Sequence, residues 1–209
     1  MSWLSTNPEP RTENPEPTRI SVRPVLLSVL VLLAVVVAAD NERLIDIDRS
    51  TVSVRVASEG LLRAFATPVV IQAPLSEGSV EEAVPHMQVV FDARRLRVLE
   101  AGLSAVDREE VQTRLLGTEV LDVNRFPRIS YHSITIERRV TDWLIRGELE
   151  LHGLILPVTA TARREGSRYV GSALVRQSDF GIVPITRWAG LVRVKDEVEI
   201  EFDVALAEQ

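Results

Sequence analysis

The sequence predicts an all-β domain of about eight antiparallel strands with one short helix, preceded by a hydrophobic N-terminal helix. Three observations carry this prediction. Apolar and polar residues alternate along most of the chain after Asp40. One stretch has helical spacing instead, and an uncharged run lies near the N-terminus.

The N-terminal segments lie outside the predicted domain. Residues 1–23 are rich in Pro, Glu, Thr and Asn, a composition that predicts a disordered tail. Residues 24–39 carry no charge and follow Arg19 and Arg23. This run is either a signal anchor with its arginines inside or a signal peptide that is cleaved after its small residues. A buried core helix is disfavoured because the run has no polar face. Both export interpretations place the domain, residues 40–209, outside the cytoplasmic membrane.

Period-2 alternation identifies the strands, because successive side chains of a strand point to opposite faces of the sheet. The last strand is the clearest case: Val198, Ile200 and Phe202 alternate with acidic residues. The other predicted strands are "IDIDRSTVSVRV" (45–56), "HMQVVFDARRLRVL" (86–99), "RISYHSITIE" (128–137), "WLIRGELELHG" (143–153) and "RYVGSALVRQ" (168–177).

A single helix is predicted over residues 105–117. Ser104, with Asp107 three residues later, resembles a capping box, and Pro127 ends the segment that follows. An antiparallel sheet with strands half apolar and half acidic must hide one face. Two packed sheets or closure into a barrel would both achieve this, and alternation does not distinguish between these two architectures. For either architecture, the alternation predicts a hidden face that is apolar and nearly free of titrating groups.

Composition excludes several classes of function. The chain has no cysteine, which rules out disulfides and thiolate metal sites, and its net charge of −6 without a basic run offers nothing to a nucleic acid. No G-x-S-x-G turn or glycine-rich phosphate loop is present, so we expect no catalytic residue. The histidines His86, His132 and His152 are far apart in sequence and are interpreted as surface or turn residues, so no metal site is predicted.

Four collinear stretches resemble the YceI-like family, the polyisoprenoid-binding proteins of the bacterial periplasm. They are "IDIDRSTVSVRV" (45–56), "NRFPRISYHS" (124–133), "GELELHGLILPVTATA" (147–162), and "RQSDFGI" (176–182) followed by "VKDEVEIEFDVAL" (194–206). The resemblance implies a lipocalin-like antiparallel barrel with a helix near one mouth. It also implies that the lumen holds a long isoprenoid chain, such as a polyprenyl lipid or a ubiquinone tail.

The expected function is therefore non-catalytic binding of an isoprenoid or a quinone-like lipid in the cell envelope. The expected partners are this lipid and the membrane, through residues 24–39. A homodimer is a further option. The alternative is an envelope interaction module with a filled core and no ligand. In "QSDFGI" we expect Asp179 to accept backbone hydrogen bonds at a turn. The predicted lumen residues are Phe65, Phe91, Phe126, Ile129, Tyr131, Trp143, Ile145, Leu149, Phe180 and Ile182.

Overall fold

The computed structural model of the protein describes residues 42–59, 69–81, 85–99, 104–187 and 192–208. The predicted tail and hydrophobic segment, residues 1–39, lie outside the described residues, as does Phe65. No helix in the described ranges is both long and apolar enough to cross a membrane. The elements are β1 (Glu42–Val56), β2 (Ser58–Glu59), β3 (Val69–Gln72), β4 (Leu75–Glu81), β5 (His86–Asp92), β6 (Arg97–Val98), α1 (Ala105–Leu116), β7 (Arg128–Arg138), β8 (Trp143–Leu151), β9 (Leu154–Glu165), β10 (Arg168–Arg176), β11 (Thr186–Arg187), β12 (Val192–Val194) and β13 (Glu197–Leu206), with 3₁₀ turns at Ala93–Arg95 and Gln177–Phe180.

Eight of these strands form a closed antiparallel barrel in the order β1, β4, β5, β7, β8, β9, β10 and β13. The ring closes because β13 pairs with β1, for example Ile200 with Val54 and Phe202 with Val52. The predicted all-β class with about eight strands and one short helix is confirmed, and closure excludes the two-sheet sandwich. A closed barrel leaves none of these eight strands as a free edge.

The partner of β1 on its other side is a bent strand made of β3 and β4. β3 pairs with the C-terminal half of β1, and β4 pairs with its N-terminal half. The bend lies at Ala73 and Pro74, where the Ala73 N–H still donates to the Val52 carbonyl at 2.9 Å. Pro74 has no N–H to continue the ladder, so the strand changes direction there.

Helix α1 lies in the connection between β5 and β7, where the sequence predicts it. The Ser104 hydroxyl accepts a hydrogen bond from the Asp107 N–H at 3.1 Å, which is the expected N-cap. Gln112 joins the helix to β6, because its amide accepts from the Val98 N–H and donates to the Leu96 carbonyl. The helix is thus fixed to the barrel by hydrogen bonds as well as by packing.

The two ends of the barrel differ. At one end, which we call the closed end, the α1 segment and the 3₁₀ turn at Gln177–Phe180 supply a packed apolar core, in which Phe180 is 2% exposed. At the other end, which we call the mouth, the hairpins β4–β5, β7–β8 and β9–β10 turn back. The buried residues of the closed end include Ala93, Leu96, Val98, Leu115, Leu121, Val123, Val175, Phe180, Ile182 and Val198.

Candidate functional site

A cavity of about 530 Å³ occupies the barrel interior on the mouth side of the packed core. All eight barrel strands contribute to its wall, and most of the lining side chains are apolar. Such a wall suits a ligand made of hydrocarbon rather than a polar metabolite. Its lining residues are Ile45, Val52, Leu75, Val80, Glu81, Pro85, Met87, Val89, Phe91, Tyr131, Ile136, Arg138, Trp143, Ile145, Leu149, Val158, Ala160, Ala162, Arg164, Tyr169, Ala173, Ile200, Phe202 and Val204.

Small residues on β9 and β10 create the space. Ala160, Ala162 and Ala173 line the cavity at positions where a larger apolar side chain would fill it. On the same face of β10, a Cβ at Gly171 would lie 2.5 Å from the Phe202 ring, so glycine leaves room for that ring. The cavity is therefore a consequence of residue size on two adjacent strands.

Tyr131 brings a hydroxyl to the cavity wall from β7. Its ring crosses β8 at Gly147, where a Cβ would come within 2.6 Å of the ring. The hydroxyl reaches the carbonyls of Ile145 at 3.3 Å and Val158 at 3.2 Å, and it donates to them. Burial raises the pKa of Tyr131 to about 12, so the phenol is neutral at physiological pH. The polar atom is thus satisfied within the wall, and the surface left to a ligand is uncharged.

Aromatic and charged side chains gather at the mouth. The rings of Trp143 and Tyr169 are 5.7 Å apart, and the Arg164 guanidinium lies 6.0 Å from the centre of the Tyr169 ring. Arg138 and Glu81 line the cavity at the ends of β7 and β4. The wall therefore changes from apolar to amphipathic at this end, and an amphiphile would find its polar environment here.

The predicted lumen residues divide between the cavity and the packed core. Phe91, Tyr131, Trp143, Ile145 and Leu149 line the cavity. The other four described residues, Phe126, Ile129, Phe180 and Ile182, do not line it. Contact with a ligand stays a prediction for the whole set.

Packing at the closed end explains the second group. Phe180 and Ile182 are buried in the core cluster, and Ile129 packs against that cluster. The ring of Phe126 packs edge-on against His152 at 4.7 Å. Alternation places Ile129 on the inner face of β7, but it does not show at which level along the axis the interior is filled.

Several wall residues were missed by the sequence reasoning. The run "PVTATARR" puts Val158, Ala160, Ala162 and Arg164 on one face of β9, so alternation contained the signal for all four. The expected hidden face, nearly free of titrating groups, is found in the depth of the cavity, where Tyr131 is the titratable residue described above. It is not found at the mouth, where Arg138, Arg164 and Glu81 lie.

The three histidines have separate partners. His132 lies on the outer wall 3.1 Å from the Glu148 carboxylate. His86 approaches the Ser133 hydroxyl at 3.5 Å, and the Nδ1 of His152 is 3.0 Å from the Phe180 carbonyl. Over the ranges that the structure describes, no three His, Cys, Asp or Glu side chains come together as a metal site would require.

A closed eight-stranded antiparallel barrel that keeps an apolar cavity open at one end defines the lipocalin-like class of β-barrel. Within this class, the chain belongs to the YceI-like family, since the model of the YceI-like domain matches residues 45–206. No curated protein matches the chain significantly.

Two solved structures illustrate the similarity. BcnA of Burkholderia cenocepacia is 18% identical, with 78% of this chain and 99% of that chain covered and a TM-score of 0.53. The YCEI protein of Campylobacter jejuni is 12% identical, with 66% and 82% covered and a TM-score of 0.48. At these identities the likeness to BcnA supports the fold and nothing finer.

Proposed function

We propose that the barrel binds an isoprenoid or similar amphiphilic lipid, with its hydrocarbon chain in the cavity and its headgroup at the mouth. The observation that carries this proposal is the apolar cavity of about 530 Å³. A barrel with a filled core, the alternative function, would not leave such a space. The gradient from an uncharged depth to an aromatic and charged mouth matches the two parts of an amphiphile.

The cavity volume sets the length of chain that fits. A methylene group is close in size to a water molecule, which occupies about 30 Å³ in the liquid. The cavity of about 530 Å³ then accommodates about 18 such groups, or three to four isoprene units. A longer polyprenyl chain would extend through the mouth.

Burial of hydrocarbon supplies the binding energy. Each buried methylene contributes about 0.8 kcal/mol, so a chain of about 15 carbons gains about 12 kcal/mol before costs. Lost translational and rotational freedom costs about 4 kcal/mol or more, and ordering the chain costs further. The surplus of at most about 8 kcal/mol corresponds to binding that is at best micromolar when no polar contact is made.

We propose that this role is non-catalytic. Among the lining residues that the structure describes, the charged ones lie at the mouth, and the phenol of Tyr131 is neutral and engaged with backbone carbonyls. A hydrocarbon in the depth of the cavity would therefore meet no general acid or base.

We further propose that the protein acts in the bacterial cell envelope. The uncharged run at 24–39 supports this location, either as an anchor in the cytoplasmic membrane or as a cleaved signal. An anchor would hold the barrel next to the membrane that supplies lipids.

The test is mass spectrometry of organic extracts from protein purified out of a bacterial host, combined with titration of a fluorescent polyprenyl analogue. We expect a co-purifying lipid at close to one molecule per barrel and saturable uptake of the analogue by the delipidated protein. If no lipid co-purifies and the analogue is not taken up, the protein is not a lipid binder.

A further inference from the structure

The first strand of the barrel starts at the mouth. Glu42, the first residue of β1, pairs with Glu81 at the end of β4. The uncharged run at 24–39 ends three residues before Glu42, and three residues of extended chain reach at most about 11 Å. The closed end is farther away, because a tilted strand with the ten residues of β13 spans about 25 Å along the barrel axis. The uncharged run is therefore connected to the barrel at its mouth end.

The β7–β8 hairpin extends from the rim of the mouth. The pairing of β7 with β5 ends at His132, and residues 135–138 continue beyond this point as partners of β8. At the tip of the hairpin, the Arg139 N–H donates to the Asp142 carbonyl at 2.8 Å. Val140 lies at this tip and is fully exposed. The hairpin thus presents an apolar side chain to the surroundings of the mouth.

Aromatic and cationic side chains accompany this tip. Trp143, at the base of the hairpin, is half-buried and lines the mouth of the cavity. The tips of the β7–β8 and β9–β10 hairpins, residues 137–143 and 163–168, carry five arginines and three acidic residues, in a chain whose net charge is −6. One of these acidic residues, Glu137, is already paired with Arg146 of β8. Aromatic rings beside basic residues suit the interface of an anionic membrane.

Exposure of apolar residues does not by itself distinguish the two ends of the barrel. Leu44 and Val140 are exposed at the mouth, and Leu154 and Val183 are exposed at the closed end. Single exposed apolar residues are common on protein surfaces. The chain connection decides between the two ends, because the residues that follow the uncharged run enter the barrel at the mouth.

We propose that the mouth end of the barrel docks on the lipid bilayer that holds residues 24–39, with the tip at Val140 in its headgroup region. The proposal rests on the anchored form of the protein proposed above, and it adds the orientation of the barrel. Val140 is buried among lipids, and the arginines of the two hairpin tips are attracted to anionic headgroups. A lipid then passes between the bilayer and the cavity without crossing bulk water.

The experiment uses the absence of cysteine from the chain, which allows a single probe at either end. The full chain with Val140→Cys or Val183→Cys is labelled with the fluorophore NBD. It is reconstituted into vesicles of phosphatidylethanolamine and phosphatidylglycerol in equal amounts, in which some lipids carry a nitroxide at the headgroup. The nitroxide quenches a fluorophore only at close contact. Val183 is the matched control, because it is the same residue type and is exposed at the closed end.

We expect the nitroxide lipids to remove most of the fluorescence of the probe at position 140 and to leave the probe at position 183 unchanged. Equal quenching of the two probes, or of neither, would overturn the proposed orientation. A blue shift at position 140 without quenching by the nitroxide would also overturn it, because protein rather than lipid would then cover the tip.

A second pair of variants tests the contact itself. The probe is moved to the exposed neighbour by Thr141→Cys, in a background of either Val140→Asp or Val183→Asp. Val140→Asp should abolish the quenching, because a charge replaces the apolar side chain in the interface, and Val183→Asp should preserve it. Quenching that persists in Val140→Asp, or that is lost equally in both variants, would overturn the assignment of the contact to Val140.

Two further measurements separate this proposal from those that precede it. If the full chain does not float with the vesicles, the anchored form is refuted, and the orientation with it. If the chain floats but the delipidated protein takes up no fluorescent polyprenyl analogue, lipid binding is refuted, while the quenching still decides the orientation. If the chain floats and binds the analogue but both probes are quenched alike, the docking alone is refuted.

Discussion

Filling the cavity should make the protein more stable and a poorer lipid binder at the same time. Ala173 is the position of choice, because it lies on the inner face of β10 opposite Ala160 of β9 and Ile200 of β13 and borders the cavity. Ala173→Leu extends three carbon atoms into empty space. In a barrel with a filled core the same change would overpack the interior and destabilise it by about 1–3 kcal/mol. The sign of the effect therefore discriminates between the two functions.

The magnitude follows from the three added carbons. At about 0.8 kcal/mol each they gain about 2.4 kcal/mol of burial, and fixing the leucine side chain costs about 0.5–1 kcal/mol. The free energy of unfolding should thus rise by about 1.5 kcal/mol, or about 3–6 °C in Tm for a domain of this size. For the lipid, three of about 18 methylene-sized positions are lost, so affinity for a chain that fills the cavity should fall by up to about fiftyfold.

Thermal unfolding of the delipidated protein and titration of geranylgeraniol measure the two effects. Thr159→Leu, on the exposed face of β9, adds a leucine outside the barrel and is the control. Its stability should stay within about 0.5 kcal/mol of the wild type, with unchanged lipid affinity. A lower Tm for Ala173→Leu, together with unaltered lipid affinity, would refute the reasoning, because it would mean that the interior is already packed and the lipid binds elsewhere.

Two further predictions concern the packed end and the phenol. Phe180→Ala should cost about 3–5 kcal/mol in chemical denaturation, since the ring is 2% exposed, yet leave lipid affinity unchanged because Phe180 does not line the cavity. A weaker lipid affinity without a loss of stability would place Phe180 against the ligand instead. Burial raises the pKa of Tyr131 from 10.0 to about 12, so the neutral phenol is favoured in the folded state. Its stabilisation should be complete below the unfolded pKa near 10 and be lost as pH rises through about 12. In thermal melts across this alkaline window, Tyr131→Phe should therefore lose less stability than the wild type, and parallel losses would contradict the assignment.

Alternation allowed the strands and their inner faces to be predicted, because the side-chain period of two is a local property of the backbone. Val198, Ile200 and Phe202 lie inside as predicted, and the start of α1 was marked by the hydrogen bond of Ser104 with Asp107. Closure of the ring depends on pairing between β1 and β13, at opposite ends of the domain, and no local pattern contains it. The level at which the interior is empty depends on residue size summed over neighbouring strands, such as Ala160 beside Ala173.

The turn at "QSDFGI" likewise depends on a contact between distant segments, which a local sequence pattern does not contain. Gly181 adopts φ of 73°, a left-handed conformation that suits glycine, at the end of the 3₁₀ turn. The prediction that Asp179 is the acceptor at this turn is wrong. Asp196 instead accepts from the Ser178 N–H at 2.8 Å and from the Ser178 hydroxyl at 2.6 Å. These bonds lower the pKa of Asp196. The acceptor lies on the segment that leads into β13, so only the folded topology brings it to the turn.

The difference between the two ends of the barrel determines how a lipid would bind. In the part of the chain that the structure describes, the closed end is filled by the α1 segment and by Phe180, so a lipid bound as proposed would enter through the mouth with its hydrocarbon end first. Its headgroup would then lie where the wall becomes amphipathic, beside Trp143, Tyr169 and Arg164. Because the depth is filled, a chain longer than about 18 carbons would gain no further burial inside and would expose the excess at the mouth. Affinity should therefore rise with chain length up to three or four isoprene units and then level off, a dependence that a barrel open at both ends would not impose.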